Sequence, residues 1–350
     1  MEHQLKMTTI DVEILNAPNL KCDEFVKNHK NGKICHLFLW NHIVAEIMGL
    51  TSYYLSVKID NEIHGVLPLM RVNSRIFGNR MISAGMSTYG GILAISKEAE
   101  KILYDKAVEI ATKLNCESIE FRNVQALPYE LTLRSGKLSM HLPLFSDPDQ
   151  IWKSLDPKVR NQVRKAEKSN ISICDGGIDL LKDFYDVYTI RMRQLGTPCY
   201  PINIMNAILS KMPDYSRIFI AKLGNVTVGG GFTICFNGFA EIPWAATLVE
   251  YNSFCPNNLL YWSVIKYYCL LDAKIFDFGR CTIDGPTYKF KKQWDPTPVE
   301  LFYQYWSSPA HKANILSPDN PKFKRKVEIW KRMPLWLTRV LGPKISRNLP

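Results

Sequence analysis

Residues 256–294 read PNNLLYWSVIKYYCLLDAKIFDFGRCTIDGPTYKFKKQW, and the fold is decided there. Pro256, Asn257 and Asn258 are turn and helix-start residues. The run 259–271 behind them is apolar almost all round, which predicts a buried helix. Residues 275–278 predict a short strand, closed by Gly279-Arg280. A helix N-terminus carries free N–H groups and partial positive charge, so Asn257 and Asn258 stand where a phosphate would be held. Arg280, Lys289, Lys291 and Lys292 follow within about one basic-aromatic loop, cations suited to phosphates. A plainer reading also fits: a core helix and strand trailed by a solvated charged loop.

Upstream, residues 217–223 turn at Gly224-Asn225 into 226–236, and a further strand, 240–246, precedes the helix. The first half follows the same plan. Residues 53–59 turn at Asp60-Asn61 into 63–69, a hairpin. The segment 71–82 holds a second turn at Gly78-Asn79, and 83–93 contains Tyr89-Gly90-Gly91. A helix over 99–114 then leads to a strand over 118–121. Lys58, Asn61 and Gly65 match Lys222, Asn225 and Gly229 at an offset of 164. Leu103-Tyr104 and Glu120-Phe121 match Leu260-Tyr261 and Asp277-Phe278 at an offset of 157. Two near-equal offsets predict a duplicated α/β domain, each copy a mixed, mostly antiparallel sheet flanked by helices. The expected boundaries are 1–145, 146–308 and a basic tail over 309–350. The first copy lacks the cationic loop, since Arg122 is followed by Asn-Val-Gln-Ala-Leu-Pro. It reads as a mainly structural or acceptor-binding half.

Two features open the second half. Asp156-Pro157 starts a helix over 157–168 that sets Arg160 and Arg164 on one face. That stripe suits a diphosphate or a carboxylate, and equally a solvated face. A second helix, 184–193, breaks at Leu195-Gly196-Thr197-Pro198, a firm stop and a candidate binding loop.

Composition narrows the class. With 46% hydrophobic and 22% charged residues over 350 positions, the chain has room for two ordinary cores. The opening MEHQLKMTTI lacks the apolar core of a secretory signal, and no run of about 20 apolar residues appears. Nine cysteines occur without a C-x-x-C pair or a Cys/His cluster. This predicts no metal site and a reducing, cytoplasmic setting. Net charge is +11, but residues 311–350 hold ten Lys/Arg against two acids. The body is only mildly basic, so charge requires no DNA partner.

These motifs resemble the FemAB-related acyltransferases, built from tandem GNAT-type domains, and in particular the branch associated with exopolysaccharide and exosortase clusters. The resemblance rests on Trp40 with Gly49, GVLPL (65–69), RIFG (75–78), YGGIL (89–93) and W-x-x-L-x-P-K-V-R-N-Q-V-R-K-A (152–166). It continues through R-x-R-x-L-G-T-P (191–198), FDFGR (276–280), Y-K-F-K-K-Q-W (288–294), W-K-R-M-P-L-W (330–336) and L-G-P-K-I-S-R (341–347). It implies two tandem GNAT-like domains and transfer of an acyl or aminoacyl group to an amine of a cell-envelope or exopolysaccharide precursor. No tightly bound cofactor is implied; acyl-CoA or aminoacyl-tRNA is the donor. One departure stands out. The family's glycine-bearing phosphate loop is replaced here by Ser-Phe-Cys-Pro-Asn-Asn at 253–258, which leaves the choice of donor open.

Such a reaction needs a neutral amine, a polarised carbonyl and a proton path. The strand 240–246, its pairing interrupted by Pro243, offers backbone N–H groups for the carbonyl. Glu241 is the candidate base, or else a solvated strand-end carboxylate. Tyr288 is a candidate proton donor or an ordinary stacked aromatic. Lys289, Lys291 and Arg280 are candidates for donor or acceptor phosphates. Arg160, Arg164, Arg191, Thr197 and Tyr89 are candidates for acceptor binding.

In the tail, residues 322–333 place Phe323, Val327 and Trp330 at helical spacing amid Lys and Arg, and Leu335-Trp336-Leu337 follow Pro334. Three readings fit: docking to an anionic membrane surface, packing on the second domain, or a grip on tRNA phosphates. From another functional class, a non-catalytic protein holding lipid-linked polysaccharide precursors at the inner face of the membrane also fits.

Overall fold

The computed structural model describes residues 9–74, 77–134, 136–311 and 321–349, the side chains of 321–324 aside. Arg75 and Ile76 of the RIFG motif, and the side chains of Lys322, Phe323 and Lys324, therefore lie outside the described residues. The first stretch of chain forms β1 (Ile10–Leu15), α1 (Leu20–Asn28), α2 (Phe38–Met48), β2 (Thr51–Ile59), β3 (Glu62–Ser74), β4 (Gly78–Ser83), β5 (Leu93–Ala94), α3 (Lys97–Lys113), β6 (Ser118–Asn123) and β7 (Thr132–Arg134). Next come β8 (Lys137–Pro143), α4 (Pro148–Ser154), α5 (Pro157–Lys168), β9 (Ile171–Gly176), α6 (Leu181–Leu195), α7 (Ile202–Lys211), β10 (Ser216–Leu223) and β11 (Val226–Phe236). They are followed by β12 (Phe239–Thr247), α8 (Pro256–Leu270), β13 (Ile275–Asp277), β14 (Cys281–Thr282), α9 (Pro286–Lys292) and β15 (Thr297–Glu300). The chain finishes with β16 (Phe302–Ser307), α10 (Pro321–Arg332) and α11 (Leu335–Ser346).

Two compact units result, each assembled from two stretches of sequence. Among the described residues, unit 1 takes those within 9–134 and 301–311, and unit 2 takes 136–300 and 321–349. The contiguous halves expected from the repeat thus exchange a strand each. β16 pairs with β6 in the first sheet, and β8 pairs with β13 in the second. The first sheet runs β1-β2-β3-β4-β6-β16-β7, with β5 on β3. The second runs β14-β8-β13-β12-β11-β10-β9, with β15 on β8. Each has one parallel pair among the described residues, β4 with β6 and β12 with β13, joined across α3 and α8.

The duplication extends to irregularities of register. The β2–β3 ladder slips between Val57 and Lys58, and the β10–β11 ladder between Ala221 and Lys222, the same step at the same offset. Asp60 and Asn61 turn the first hairpin with φ of 49° and 68°, the mirror-image turn that suits twisted strands. The second expected turn lies elsewhere. Ser74 pairs with Gly78, so the reversal precedes Gly78, and Gly78-Asn79 open β4 instead. Asn79 is held there because its Nδ2 donates to the Leu114 and Asn115 carbonyls at the end of α3.

In unit 1 the core lies under α3, with Leu103, Ala107 and Ile110 against Leu55, Leu67, Met81 and Phe121. In unit 2 it lies under α8, with Leu260, Tyr261 and Val264 against Leu142, Ala240, Ile242 and Phe276, and Trp294 completes it. α6 covers the other face of the second sheet. A Cβ at Gly230 would meet the Phe184 ring at 2.9 Å, so the absence of a side chain at Gly230 is what lets α6 approach.

Candidate active site

The site begins where β12 and β13 part. The two strands pair in parallel at Phe239–Ile275, Ala240–Phe276 and Glu241–Asp277, after which β13 ends and β12 continues to Thr247. Beyond Glu241 the β13-facing edge of β12 has no strand partner among the described residues. On its other edge, β12 pairs Phe232 with Trp244 and Ile234 with Glu241. Ile242 and Pro243 therefore bulge opposite Thr233. Pro243 sits where it interrupts the ladder, as expected from its missing N–H. The β12-α8-β13 crossover places the α8 N-terminus at the carboxyl ends of these strands, the position where open α/β sheets hold ligands.

The helix start is only a partial anion cradle. A 3-10 turn over Val249–Phe254 occupies the place of a glycine loop, and Cys255 takes a left-handed φ of 58°. The Cys255 N–H donates to the Asn252 carbonyl and the Asn258 N–H to the Cys255 carbonyl, so these donors are spent locally. The Asn258 side chain is buried and donates to Gln162 on α5 at 3.0 Å; Asn257 is half-buried.

The segment after β13 differs from the expected loop. Residues 286–292 form α9, and on a helix Lys289 and Lys291 point to different sides. Lys289 is exposed. Lys291 is 7% exposed, and its ammonium donates to the Gly279 carbonyl at 2.6 Å and the Arg280 carbonyl at 3.1 Å. Burial pushes its pKa down. Lys291 thus fastens the 279–280 turn from inside. Arg280 is exposed, and Tyr288 is half-buried with the Lys292 ammonium over its ring at 5.9 Å.

Asp277, fully buried, holds the same turn from the strand side. It accepts from the Ser139 hydroxyl and from the Gly279 N–H at 2.8 Å, and His141 lies 3.9 Å away. Its repeat partner in unit 1, Glu120, is used differently. Glu120 accepts from Arg122 Nε at 2.8 Å and from the Tyr305 hydroxyl at 2.9 Å. Burial alone would raise the Glu120 carboxyl, but the Arg122 charge and the hydrogen bonds from Arg122 and Tyr305 outweigh it and hold it below the usual range.

The remaining candidates disperse. Arg160 and Arg164 share a face of α5, as their spacing predicts. Arg164 stacks over the Trp152 ring at 5.5 Å, while the Arg160 Nε is buried without a hydrogen-bond partner. Arg191 donates to Gln194 at 3.3 Å on α6. Thr197 is exposed in the turn closing that helix, where its N–H donates to the Met192 carbonyl. Tyr89 belongs to unit 1. There it lines a polar pocket of about 80 Å³ together with His36, Gly91, Arg122 and Asn123. His36 is buried, donates to the Gly91 carbonyl and is pushed down to about 4 by burial. Sequence reasoning passed over Ser139, His141 and His36. The first two lie on β8, whose sheet only the three-dimensional pairing reveals, and an isolated histidine gives no signal of its own.

Residues 154–292 match the acetyltransferase (GNAT) domain family. The lipid II:glycine glycyltransferase of Staphylococcus aureus is 26% identical over 241 residues, which span 61% of this chain and 55% of that protein. The chain thus spans about half the length of the curated relatives it matches. Among solved structures, FemX aligns with a TM-score of 0.67 at 18% identity, covering 83% of this chain and 96% of that one. A tandem GNAT protein from the clavulanic acid biosynthesis pathway aligns at 0.50 and 12% identity, covering 87% and 100%. The fold is therefore the tandem GNAT architecture. The chain resembles these proteins, and the matched GNAT domain lies within unit 2.

Proposed function

We propose that the chain is an N-acyltransferase that moves an acyl or aminoacyl group onto an amine of a cell-envelope or exopolysaccharide precursor. The observation that carries this reading is the fork: a parallel strand pair parting beside a helix N-terminus, with a carboxylate, Glu241, at the point of parting. The kinship with a glycyltransferase acting on lipid II supports an acceptor of that chemical kind.

In this reading the donor carbonyl lies against the open edge of β12, where backbone N–H groups polarise its oxygen. The acceptor amine attacks the carbonyl carbon as Glu241 takes its proton, directly or through a water. The tetrahedral intermediate collapses to the amide, and the departing thiol or hydroxyl takes a proton from Tyr288. Lys289 and Arg280, both exposed, meet phosphates of the donor, and Asn257 stands at the helix start beside them. Arg160 and Arg164, on the α5 helix that Gln162 joins to the start of α8, serve the acceptor; Arg191, Thr197 and Tyr89 lie on other parts of the chain and have no part in this reading. The GNAT domain supports acyl-CoA as donor, while the spent N–H groups before α8 keep aminoacyl-tRNA as the alternative. A lipid-linked acceptor would draw the protein to the inner face of the membrane. No helix of the described residues is long and apolar enough to cross one.

The test is thermal stabilisation by acetyl-CoA, with aminoacyl-tRNA competition alongside, since a ligand that binds the native state raises the melting temperature by mass action. A shift with acetyl-CoA that Lys289→Ala abolishes supports a CoA donor, and saturable tRNA binding without a CoA shift supports the aminoacyl route. Silence with both, and no amide product, overturns the proposal.

A further inference from the structure

The last helix is amphipathic the wrong way round. α11 turns Thr338, Gly342 and Ser346, one stripe at helical spacing, into the protein. It packs on α6, where Arg339 donates to Asp186 at 2.7 Å and to Thr189 at 2.9 Å. Gly342 lies so close to Cys199 that a Cβ would meet the Cys199 backbone nitrogen at 3.0 Å. The opposite stripe carries Trp336, Val340, Lys344 and Arg347. Trp336 is 67% exposed and Val340 53%, while the two cations reach solvent one and two turns further on. α10 is amphipathic in the ordinary sense: its Trp330 is buried, and its outward face carries Arg325, Glu328, Ile329 and Arg332, with Ile329 49% exposed.

Single exposed apolar residues need no explanation. Here, however, a helix spends its small and hydroxyl-bearing residues on packing and shows solvent its tryptophan and valine among cations. The outward stripe of α11 carries no acid, and the acid on that face of α10, Glu328, is paired with Lys331 at 2.7 Å. A protein partner would be met by an apolar patch with mixed charges around it. Tryptophan and aliphatic side chains set among an excess of cations match a bilayer, with phosphates at the level of the Lys and Arg side chains and acyl chains beneath.

We infer that the outward face of α10 and α11 is a docking surface for an anionic lipid bilayer, seated through Trp336 and Val340 and held by Arg325, Arg332, Lys344 and Arg347. This deepens the reading of a lipid-linked acceptor and rests on it only for the purpose of docking.

The experiment is co-sedimentation of the full chain with vesicles of equal parts phosphatidylglycerol and phosphatidylcholine, and with phosphatidylcholine alone, in the absence of donor and acceptor. Retention on the anionic vesicles is expected, with a blue shift of tryptophan emission that Trp336→Phe removes. Trp336→Ser with Val340→Ser, and separately Lys344→Gln with Arg347→Gln, are expected to weaken retention on the order of tenfold at an unchanged melting temperature. Leu20→Ser, at an exposed apolar site of unit 1, is expected to leave it unchanged. Three results would overturn the inference: no retention, equal retention on both vesicle types, or self-association that the Trp336 variant abolishes without vesicles present. Transfer to a water-soluble amine is assayed separately, so a failed docking surface and a failed reaction are told apart.

Discussion

Glu241 on β12 and Asp277 on β13 form the last paired position of the parallel strands before they separate. The two carboxylates have different surroundings. Asp277 is fully buried and satisfied by Ser139 and Gly279, whereas Glu241 is half-buried at the mouth of the fork. Glu241→Gln is therefore expected to lower turnover by about 10²–10⁴-fold with the melting temperature intact. Asp277→Ala is expected to cost about 1–3 kcal/mol of stability, because it leaves the buried Ser139 hydroxyl and Gly279 N–H without an acceptor. Wild-type turnover in Glu241→Gln would remove it as the base.

Lys289 and Lys291 separate binding from structure. Lys289→Ala is expected to raise the KM for the phosphorylated donor and leave the urea midpoint unchanged, since the side chain is exposed. Lys291→Met removes the donor that holds the Gly279 and Arg280 carbonyls, so it should lower the midpoint and turnover together. Equal effects of both variants on stability would contradict this division.

His36 makes unit 1 sensitive to acid. Burial lowers its folded-state value to about 4, against an ordinary value near 6.5, so the unfolded chain takes up the proton first as pH falls. The contribution is complete above about pH 6.5 and is lost progressively toward about pH 4, on the order of 3 kcal/mol in all. Denaturation of the wild type and of His36→Gln at a series of pH values checks this. The variant should show a flatter dependence in that window.

The Glu120–Arg122 pair predicts a non-additive cycle. Arg122→Ala strands a buried carboxylate and is expected to cost about 3–5 kcal/mol. Glu120→Gln combined with Arg122→Met removes both charges of the pair, so the double change should cost less than Arg122→Ala alone. Additive losses would mean that the two side chains do not act as one unit.

Local signals carried far in the sequence. The hairpin at Asp60-Asn61, the strand containing Pro243 and the buried helix after Pro256 each rest on neighbouring residues, and each forms where its residues direct. The repeat was legible because the two copies preserve even a register slip, at Val57-Lys58 and Ala221-Lys222. Strand exchange was not legible. Nothing within residues 137–143 distinguishes pairing with β13 from pairing with β6, because the backbone hydrogen bonds of a strand are the same with either partner. The site was legible as a region rather than as an arrangement. The cations after β13 were found by type, but seven residues coiled into α9 turn Lys291 inward, and a count of charges along a loop carries no such direction.

The position of β16 has a consequence for synthesis. Every strand of the second sheet lies before residue 301, whereas the first sheet lacks β16 until residues 302–307 have been made. At about 5–20 residues per second, the first sheet, although begun first, is completed only after every strand of the second has been made. Through that interval the edge of β6 that β16 will cover stays open, and a nascent chain stalled before residue 302 would present it to any strand nearby.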